Sequence, residues 1–541
     1  MGRFRQKQSL FGIFTLSLTI FGGFAPPMQR AIAQDFNASI GDNGIQATTL
    51  HSEPYDLLGR KIAIGQVEIG RPGQFGLDKR ATWRPNLNLS QVFVLDAQAT
   101  PDDYVDDHAA MVAGVMVGRD KRHLGVAPEA RLFSTAIGST MNSAQPEECL
   151  ATQHITQQNG GDVRAINFSF GESLSRDPRP NPTLDGNALL TQCLDWTARV
   201  HDVLHVVAGN QGSGGIPIPT DHYNGITTAY TTRLQGDVFN KIDFANLSAL
   251  PVGSGSRLIR NEINAGDRRA ISLSAPGSRL NLLTSFNTMD QVSGTSFAAP
   301  HIVGTVALLQ EFGDRQLKAQ ADQWSLDARR HEVMKAILLN SAEKIADTGD
   351  GKHLEMSRTI LSKSNKTWLE GDAYSNPDIP LDIEMGTGQL NAYRAYTQFA
   401  AGQWSTAAPV PNLGWDYGKV SVRSFQDYRL ATPLQQDSFV SLTLTWDRWV
   451  DLDDNNNNGQ YDVGETFTDR GLNDLNLYLL PADTNDLGEA VCRSTSPVDS
   501  VEHIFCPVPQ TGKYKVRVVY AEQANQASQD YAIAWWTATT P

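Results

Sequence analysis

The sequence predicts an α/β protein in which a parallel-sheet domain is followed by a small antiparallel β-sandwich domain. Two observations indicate the first domain. β-type runs end in polar or glycine turns, as at residues 62–70 and 207–212, and small-residue helices begin near residues 108 and 295. In open α/β sheets such strand ends and helix starts meet at one edge of the sheet. The third observation is a change of composition after about residue 401, beyond which short alternating runs and turn signals favour a sandwich.

The N-terminus has the pattern of a cleavable secretory signal. Three basic residues precede an apolar run over residues 10–24, and an Ala-x-Ala site precedes Gln34. The run is short for a membrane span. We therefore expect residues 1–33 to be removed on export, leaving a soluble, monomeric protein without a membrane anchor that begins with a short segment at 34–54.

The chain is acidic, with a formal net charge of −14. The predicted signal carries four basic residues and no acidic ones, so its removal takes the charge from −14 to −18. Proteins that bind nucleic acids present positive surfaces to the phosphates, so this balance argues against a nucleic-acid partner.

Residues 294–301 (GTSFAAPH) have the form of a nucleophile motif. A small-residue turn leads Ser296 into the first turn of a helix, whose apolar stripe ends before Gln310. Pro300 falls early in this helix, where its missing N–H costs little. The positive end of the helix dipole and the outward backbone N–H of Ser296 would favour a nearby oxyanion, as acyl transfer by a serine requires.

Three further motifs precede this serine. They are a β-type run with a carboxylate at its end (residues 62–70, IAIGQVEIG), a helix start with a histidine (107–114, DHAAMVAG), and a Gly-Asn-x-Gly turn (207–212, VAGNQG). Acid, histidine, amide and serine therefore occur in this order. The set resembles the subtilisin-like serine proteases, or subtilases, in which the triad has the chain order acid, histidine, serine. Matches to four subsidiary motifs extend the resemblance over about residues 55–402, at residues 125–130, 166–171, 275–277 and 386–392.

The resemblance implies a secreted serine endopeptidase acting on proteins or peptides. Ser296 would be the nucleophile and His108 the general base, with the Asn210 amide and the Ser296 N–H as oxyanion donors. The segment Ser169, Phe170 and Gly171 would pair with the substrate backbone. The peptidase domain would cover residues 55–405 and the sandwich residues 406–541.

Two departures from the family pattern qualify these roles. Glu68 stands where subtilases have aspartate, and its extra methylene reaches about 1.5 Å further, so the strand or the His108 helix must sit back. Asp78 is an alternative acid, although it lies beyond a turn at residues 71–73. Alanines and Met111 follow His108 where the family has Gly, Thr and a second His. A catalytically impaired homologue acting as a binding protein therefore remains the alternative function.

Four cysteines suit an exported protein. The local pairs are Cys149 with Cys193 and Cys492 with Cys506, although four cysteines allow three connectivities.

A calcium-loop pattern lies in the C-terminal region, at residues 454–465 (DNNNNGQYDVGE). Oxygen side chains occur at loop positions one, three, five and nine, Gly at six and Glu at twelve. The flanks read as strands, so we expect a structural Ca²⁺ loop inside a β-domain, with a solvated Asn-rich turn as the alternative. The candidate ligands are Asp454, Asn456, Asn458, Gln460, Asp462 and Glu465. A sandwich that binds a cell surface or polysaccharide is a further possibility for this domain.

Overall fold

The computed structural model describes residues 36–73, 86–100, 105–138, 144–209, 217–233, 237–244 and 266–539. The expected signal peptide lies outside these residues. Among the described residues, no helix combines the length and apolarity needed to span a bilayer.

Helices and short strands alternate through the first part of the chain. The helices of the described residues are α1 (Asn37–Ile40), α2 (Ala47–His51), α3 (Asp107–Val117), α4 (Gln145–Thr156), α5 (Gln158–Gly161), α6 (Leu189–His201), α7 (Thr295–Ala319), α8 (His331–Asn340), α9 (Asp372–Ser375) and α10 (Ala392–Ala400). The strands there are β1 (Ala63–Glu68), β2 (Leu89–Val94), β3 (Ala97–Gln98), β4 (Arg119–Asp120), β5 (His123–Leu124), β6 (Arg131–Ala136), β7 (Val163–Phe168), β8 (Leu204–Ala208), β9 (Ile226–Arg233), β10 (Phe239–Phe244), β11 (Leu273–Pro276), β12 (Leu280–Leu283) and β13 (Met289–Val292).

Within the described residues, β1 to β3 and β6 to β11 form a nine-stranded sheet. Its order is β10-β9-β8-β7-β1-β6-β2-β3, and β11 pairs with β9. All neighbours are parallel except the edge strands β3 and β10. Every residue of β1 is buried, as expected for a strand covered on both faces.

The alternation of side chains along β1 determines what faces the active site. Ile64 packs in the core formed with α3 and α7, whereas Ala63 and Val67 pack in the core formed with α4 and α6. Glu68 is therefore on the α3 side, because side chains two and four residues apart share a face. On the other face, a Cβ at Gly65 would lie 2.5 Å from Cγ2 of Ile155, so α4 approaches too closely for any larger residue.

The nucleophile helix is longer than its apolar stripe. Helix α7 continues to Ala319, and the first two polar residues beyond the stripe are buried with partners. Gln310 donates to the Ala328 carbonyl at 2.9 Å. Glu311 accepts three backbone N–H groups, those of residues 58–60, at 2.7 to 3.0 Å.

The C-terminal part is an antiparallel sandwich, as the sequence predicts. Its strands are β14 (Leu413–Ser421), β15 (Phe425–Arg429), β16 (Phe439–Thr445), β17 (Trp449–Asp453), β18 (Thr466–Gly471), β19 (Asp474–Pro481), β20 (Cys492–Ser494), β21 (Val501–Pro507), β22 (Tyr514–Glu522) and β23 (Ser528–Thr537). One sheet has the order β14-β23-β16-β21 and the other β15-β22-β19-β20. Leu442 and Trp535 from the first sheet share a core with Leu477 and Val518 from the second, so the predicted fold class is confirmed.

The two parts pack closely on each other. Sheet residues Ala532 and Ala534 of β23 belong to the same apolar cluster as Ile337 of α8. At the end of α8, Ser441 Oγ donates to the Asn340 carbonyl at 2.9 Å. The sandwich therefore lies on the helix that follows the nucleophile helix.

A buried ion pair also joins the two parts. Arg448, between β16 and β17, lies 3.3 Å from Asp195 of α6, and both side chains are at most 3% exposed. The arginine also donates to the Gly186 carbonyl at 2.6 Å, and its backbone N–H donates to Asn224 Oδ1 at 2.8 Å. Burial raises the pKa of Asp195 to about 6, against the opposing effect of Arg448 and two backbone N–H groups.

Both expected disulfides are present. Cys149 of α4 is bonded to Cys193 of α6, and Cys492 of β20 is bonded to Cys506 of β21. The second bridge links the edges of the two sandwich sheets.

Candidate active site

Glu68 and His108 meet at the carboxyl end of β1. The Glu68 carboxylate is 1% exposed, and its Oε2 lies 3.3 Å from Nδ1 of His108. His108 is the second residue of α3, and its helix is held against the strand by Gln66, whose Nε2 donates to the Ala109 carbonyl at 3.0 Å. The strand end and the helix start accommodate the longer glutamate side chain. Asp78, the alternative acid, lies outside the described residues.

The surroundings of His108 favour its protonated form. Burial opposes protonation, but the charge and hydrogen bond of Glu68 and the charge of Asp106 outweigh it, so the pKa of His108 is raised. Asp106 caps α3 by accepting the Ala109 N–H at 2.8 Å. Asp107 instead accepts hydrogen bonds from the backbone and hydroxyl of Ser285.

Ser296 occupies the second position of α7 and is 7% exposed. Its Oγ donates to the Ser169 carbonyl at 3.1 Å, and Ser169 Oγ donates back to the Ser296 carbonyl at 2.9 Å. The next residue, Phe297, has its ring centroid 5.5 Å from that of His108. The residue that follows the nucleophile candidate therefore lies beside His108, and the Ser296 hydroxyl is directed to the segment after β7.

The predicted substrate segment follows β7 directly. The side chains of Ser169 and Phe170 are buried, with the Phe170 ring 5.3 Å from that of Phe168. Gly171 leads into Glu172, which exchanges two backbone hydrogen bonds with Ile218 at 2.8 and 3.1 Å. The segment is thus fixed by β7 at its start and by the Glu172–Ile218 hydrogen bonds at its end. Because the side chains of Ser169 and Phe170 are buried, only its backbone groups could pair with a peptide.

Asn210 lies outside the described residues. The residue before it, Gly209, is next to the nucleophile motif, because its carbonyl accepts the Thr295 hydroxyl at 2.7 Å. Its N–H donates to the Thr228 carbonyl at 3.0 Å.

Three residues near the site were not singled out from the sequence. Asn167 Nδ2 donates to Ser169 Oγ at 2.7 Å and so orients the hydroxyl that holds the Ser296 backbone. Glu148 of α4 is buried against Glu172, and burial and that second carboxyl group raise the pKa of Glu148 well above its usual range. Gln66 could have been found from the strand alternation, since it shares the face of Glu68. No pattern along the chain pairs Glu148 with Glu172, because they come from different elements.

The calcium-loop pattern lies between β17 and β18, so its flanks are strands as expected. Asp454 accepts backbone N–H groups from within the loop, including that of Gly459 at 2.7 Å. The Asn456 and Asn458 amides both contact Asp462 Oδ2, at 2.6 and 2.8 Å. Glu465 is 5% exposed and accepts the N–H groups of residues 455 and 462 at 2.8 and 3.0 Å. Gln460 donates its backbone N–H to Asn458 Oδ1 at 2.7 Å.

This loop is attached to the first domain. Gln153 of α4 exchanges two hydrogen bonds with the backbone of Tyr461, at 2.6 and 3.1 Å. The Tyr461 ring stacks on Phe467 in a cluster that includes the Cys149–Cys193 bridge. The middle of the loop is therefore anchored to α4 and to a buried aromatic cluster.

The chain is similar in sequence to several bacterial proteases of the subtilisin type. The chain is 25% identical to Subtilisin Savinase of Lederbergia lenta over 276 residues, which covers 50% of this chain and 83% of that protein. It is 24% identical to Subtilisin E of Bacillus subtilis (strain 168) over 284 residues, 51% of this chain and 63% of that protein. Thermitase of Thermoactinomyces vulgaris is 24% identical over 242 residues, 45% of this chain and 68% of that protein.

Among solved structures, one described as S41 Psychrophilic Protease aligns over 62% of this chain and 92% of that chain, at 21% identity and a TM-score of 0.39. The subtilase family model matches residues 85–361, which is just over half of the chain. This region contains His108 and Ser296, whereas Glu68 lies before it. On the strength of this match, the chain belongs to the subtilase family of serine peptidases.

Proposed function

We propose that this chain is a secreted serine endopeptidase that hydrolyses peptide bonds through an acyl-enzyme, with Glu68 as the acid of its triad. The observation that carries the proposal is the contact between the buried Glu68 carboxylate and His108 Nδ1 at 3.3 Å. A carboxylate in this position holds the imidazole with Nδ1 protonated, so that Nε2 can accept a proton from the nucleophile. The basic and apolar pattern of residues 1–33 supports export.

The reaction begins when Ser296 Oγ leaves the Ser169 carbonyl and attacks the scissile carbonyl carbon. Its proton passes to His108 Nε2, and Glu68 stabilises the imidazolium that forms. The oxyanion is bound by the Ser296 N–H and the Asn210 amide. The tetrahedral intermediate collapses when His108 returns the proton to the leaving amine, and a water molecule then hydrolyses the acyl-enzyme by the same route in reverse.

Casein hydrolysis and fluorophosphonate labelling test this function. Wild type should cleave casein and be labelled at Ser296, and Ser296→Ala should do neither. Glu68→Ala should fold and be slowed by about 10⁴, the effect of losing a triad acid. Glu489→Gln, at an exposed acid far from the triad, is the control. A folded wild type that neither cleaves nor is labelled would instead identify a binding protein on a subtilase scaffold.

We also propose that residues 454–465 bind one structural Ca²⁺. The support is the loop itself, in which five oxygen-bearing side chains at loop positions one, three, five, nine and twelve lie between two strands, with Gly459 at φ +74°. Gln460, at position seven, would contribute its backbone carbonyl. The Asn456 and Asn458 amide groups now point their NH₂ toward Asp462, and rotation of these amides would present their oxygens. By neutralising Asp454, Asp462 and Glu465, the ion would stiffen the segment that Gln153 anchors to α4.

A further inference from the structure

A second group of potential metal ligands lies far along the chain from the triad residues, where α6 ends and α8 begins. Asp202 follows α6, and His331 and Glu332 are the first two residues of α8. Among the described residues, one ligand atom from each of these three side chains lies within 4.8 Å of the others. His331 Nδ1 is 2.9 Å from Asp202 Oδ1 and 3.2 Å from Glu332 Oε2.

The two distances from His331 Nδ1 are close to the edge length of a small coordination tetrahedron. Zn²⁺ binds imidazole nitrogen and carboxylate oxygen at about 2.0–2.1 Å, so neighbouring ligand atoms of a tetrahedral site are about 3.3 Å apart. The two measured distances are within about 0.4 Å of that value. One imidazole and two carboxylates are ligands that suit zinc, whereas Ca²⁺ and Mg²⁺ prefer oxygen alone.

One carboxylate oxygen of this group, Glu332 Oε2, has no hydrogen-bond partner among the described residues. His331 Nδ1 can carry a single proton, and Asp202 Oδ1 is its closer partner. Glu332 Oε2 is buried without a hydrogen-bond partner among the described residues, and its side chain is only 8% exposed. The other carboxylate oxygens are engaged elsewhere, since Arg330 lies 3.6 Å from Asp202 Oδ2 and the Tyr417 hydroxyl lies 3.4 Å from Glu332 Oε1. Asp202 Oδ1 also accepts the His331 backbone N–H at 2.9 Å, so a cation bound to Nδ1 and Oδ1 would give Glu332 Oε2 the partner that it lacks.

The second ring nitrogen of His331, Nε2, contacts a carboxylate, as is usual for histidines that bind a metal through their other nitrogen. His331 Nε2 lies 3.1 Å from Asp447 Oδ1, a residue of the sandwich domain. A carboxylate on the second ring nitrogen orients the ring and raises the basicity of the first. Glu332 and Asp447 also line a polar cavity of about 190 Å³, from which a water molecule could supply the fourth ligand.

We propose that Asp202, His331 and Glu332 bind one Zn²⁺, and that this ion clamps the peptidase domain to the sandwich through Asp447. The site is separate from the triad and from the predicted calcium loop. It gives the joint between the two domains a metal-dependent stability.

Zinc binding is tested on the full chain carrying Ser296→Ala, which prevents autolysis. The protein is stripped with chelator, loaded with ZnCl₂ and dialysed, and its zinc content and affinity are measured by atomic absorption and by competition with a chromogenic chelator. We expect one zinc per chain and a thermal midpoint that rises with zinc concentration. Glu332→Gln and Asp202→Asn should each weaken binding at least 100-fold, and Asp447→Asn 10- to 100-fold. Glu465→Gln, in the calcium loop, should bind zinc as the parent does.

A cobalt derivative makes the test independent of whether the variants fold. Co²⁺ in a four-coordinate nitrogen and oxygen site has intense visible absorption bands, whereas six-coordinate Co²⁺ absorbs weakly. Intense bands in the parent protein support the proposal. Weak bands, a zinc content near zero, or equal zinc affinity in folded Glu332→Gln and Asp202→Asn would overturn it.

Discussion

Replacing Glu68 with aspartate, the residue subtilases usually have, should weaken the proposed peptidase activity rather than improve it. The Glu68 carboxylate is 3.3 Å from His108 Nδ1. Aspartate is shorter by one methylene, about 1.5 Å, so its oxygen would lie about 4.8 Å from the ring nitrogen. That distance is beyond hydrogen-bond range. Movement of α3 to close the gap is opposed by the Gln66 bond to Ala109 and by the bond from the Asp106 N–H to the Arg71 carbonyl at 2.9 Å.

The expected loss of kcat/KM in Glu68→Asp can be estimated from the interactions with His108 that aspartate retains. Complete loss of the acid costs about 10⁴ in turnover. Glu68→Asp retains the negative charge but not the hydrogen bond, so we expect kcat/KM to fall by about 10² to 10³, or about 2.7 to 4 kcal/mol in the barrier. Glu68→Gln, which keeps the length and loses the charge, should approach the full 10⁴. The loss should be in kcat, because Glu68 is buried behind His108.

The assay is steady-state hydrolysis of a chromogenic peptide, with folding checked by circular dichroism and thermal midpoint. Glu489→Asp is the matched control, since it shortens an exposed acid by the same methylene. Glu68→Asp activity equal to or above wild type would refute the geometric reasoning. Inactivity of the folded wild type would instead refute the proposed function.

Three further predictions follow from contacts described above. Glu68 raises the pKa of His108, and the general base must be neutral, so kcat/KM should fall as the pH drops through a value above 6.5. In Glu68→Gln this acidic fall in kcat/KM should move to lower pH, and an unchanged pH profile would contradict the reasoning. Ca²⁺ should raise the thermal midpoint of wild type, and Glu465→Gln should abolish the rise; an equal rise in both proteins would exclude the loop. Arg448→Met leaves Asp195 buried without its charge partner, so urea unfolding should show a loss of about 3–5 kcal/mol, whereas exposed Arg122→Met should change little.

Local patterns in the sequence determined much of the peptidase domain. The turn before Ser296, the strand ending at Glu68 and the helix opening at His108 each rest on neighbouring residues. Buried runs, small-residue helix starts and glycine turns are short-range signals, and strand ends converge on one edge in any open α/β sheet. The sandwich was equally predictable, since the alternating run at 475–479 lies in the observed strand β19 and the run at 439–446 passes the end of β16 by one residue.

Pairs that join distant elements depended on the tertiary structure. The glutamate reaches His108 because β1 alternation places it on the α3 face and α3 sits at the distance its length requires. The Ser169 bond to Ser296, the Glu148–Glu172 pair and the His331 cluster each combine residues whose spacing along the chain has no regular period. Such contacts are set by how helices and sheets pack, and packing is decided by the whole core rather than by any one segment.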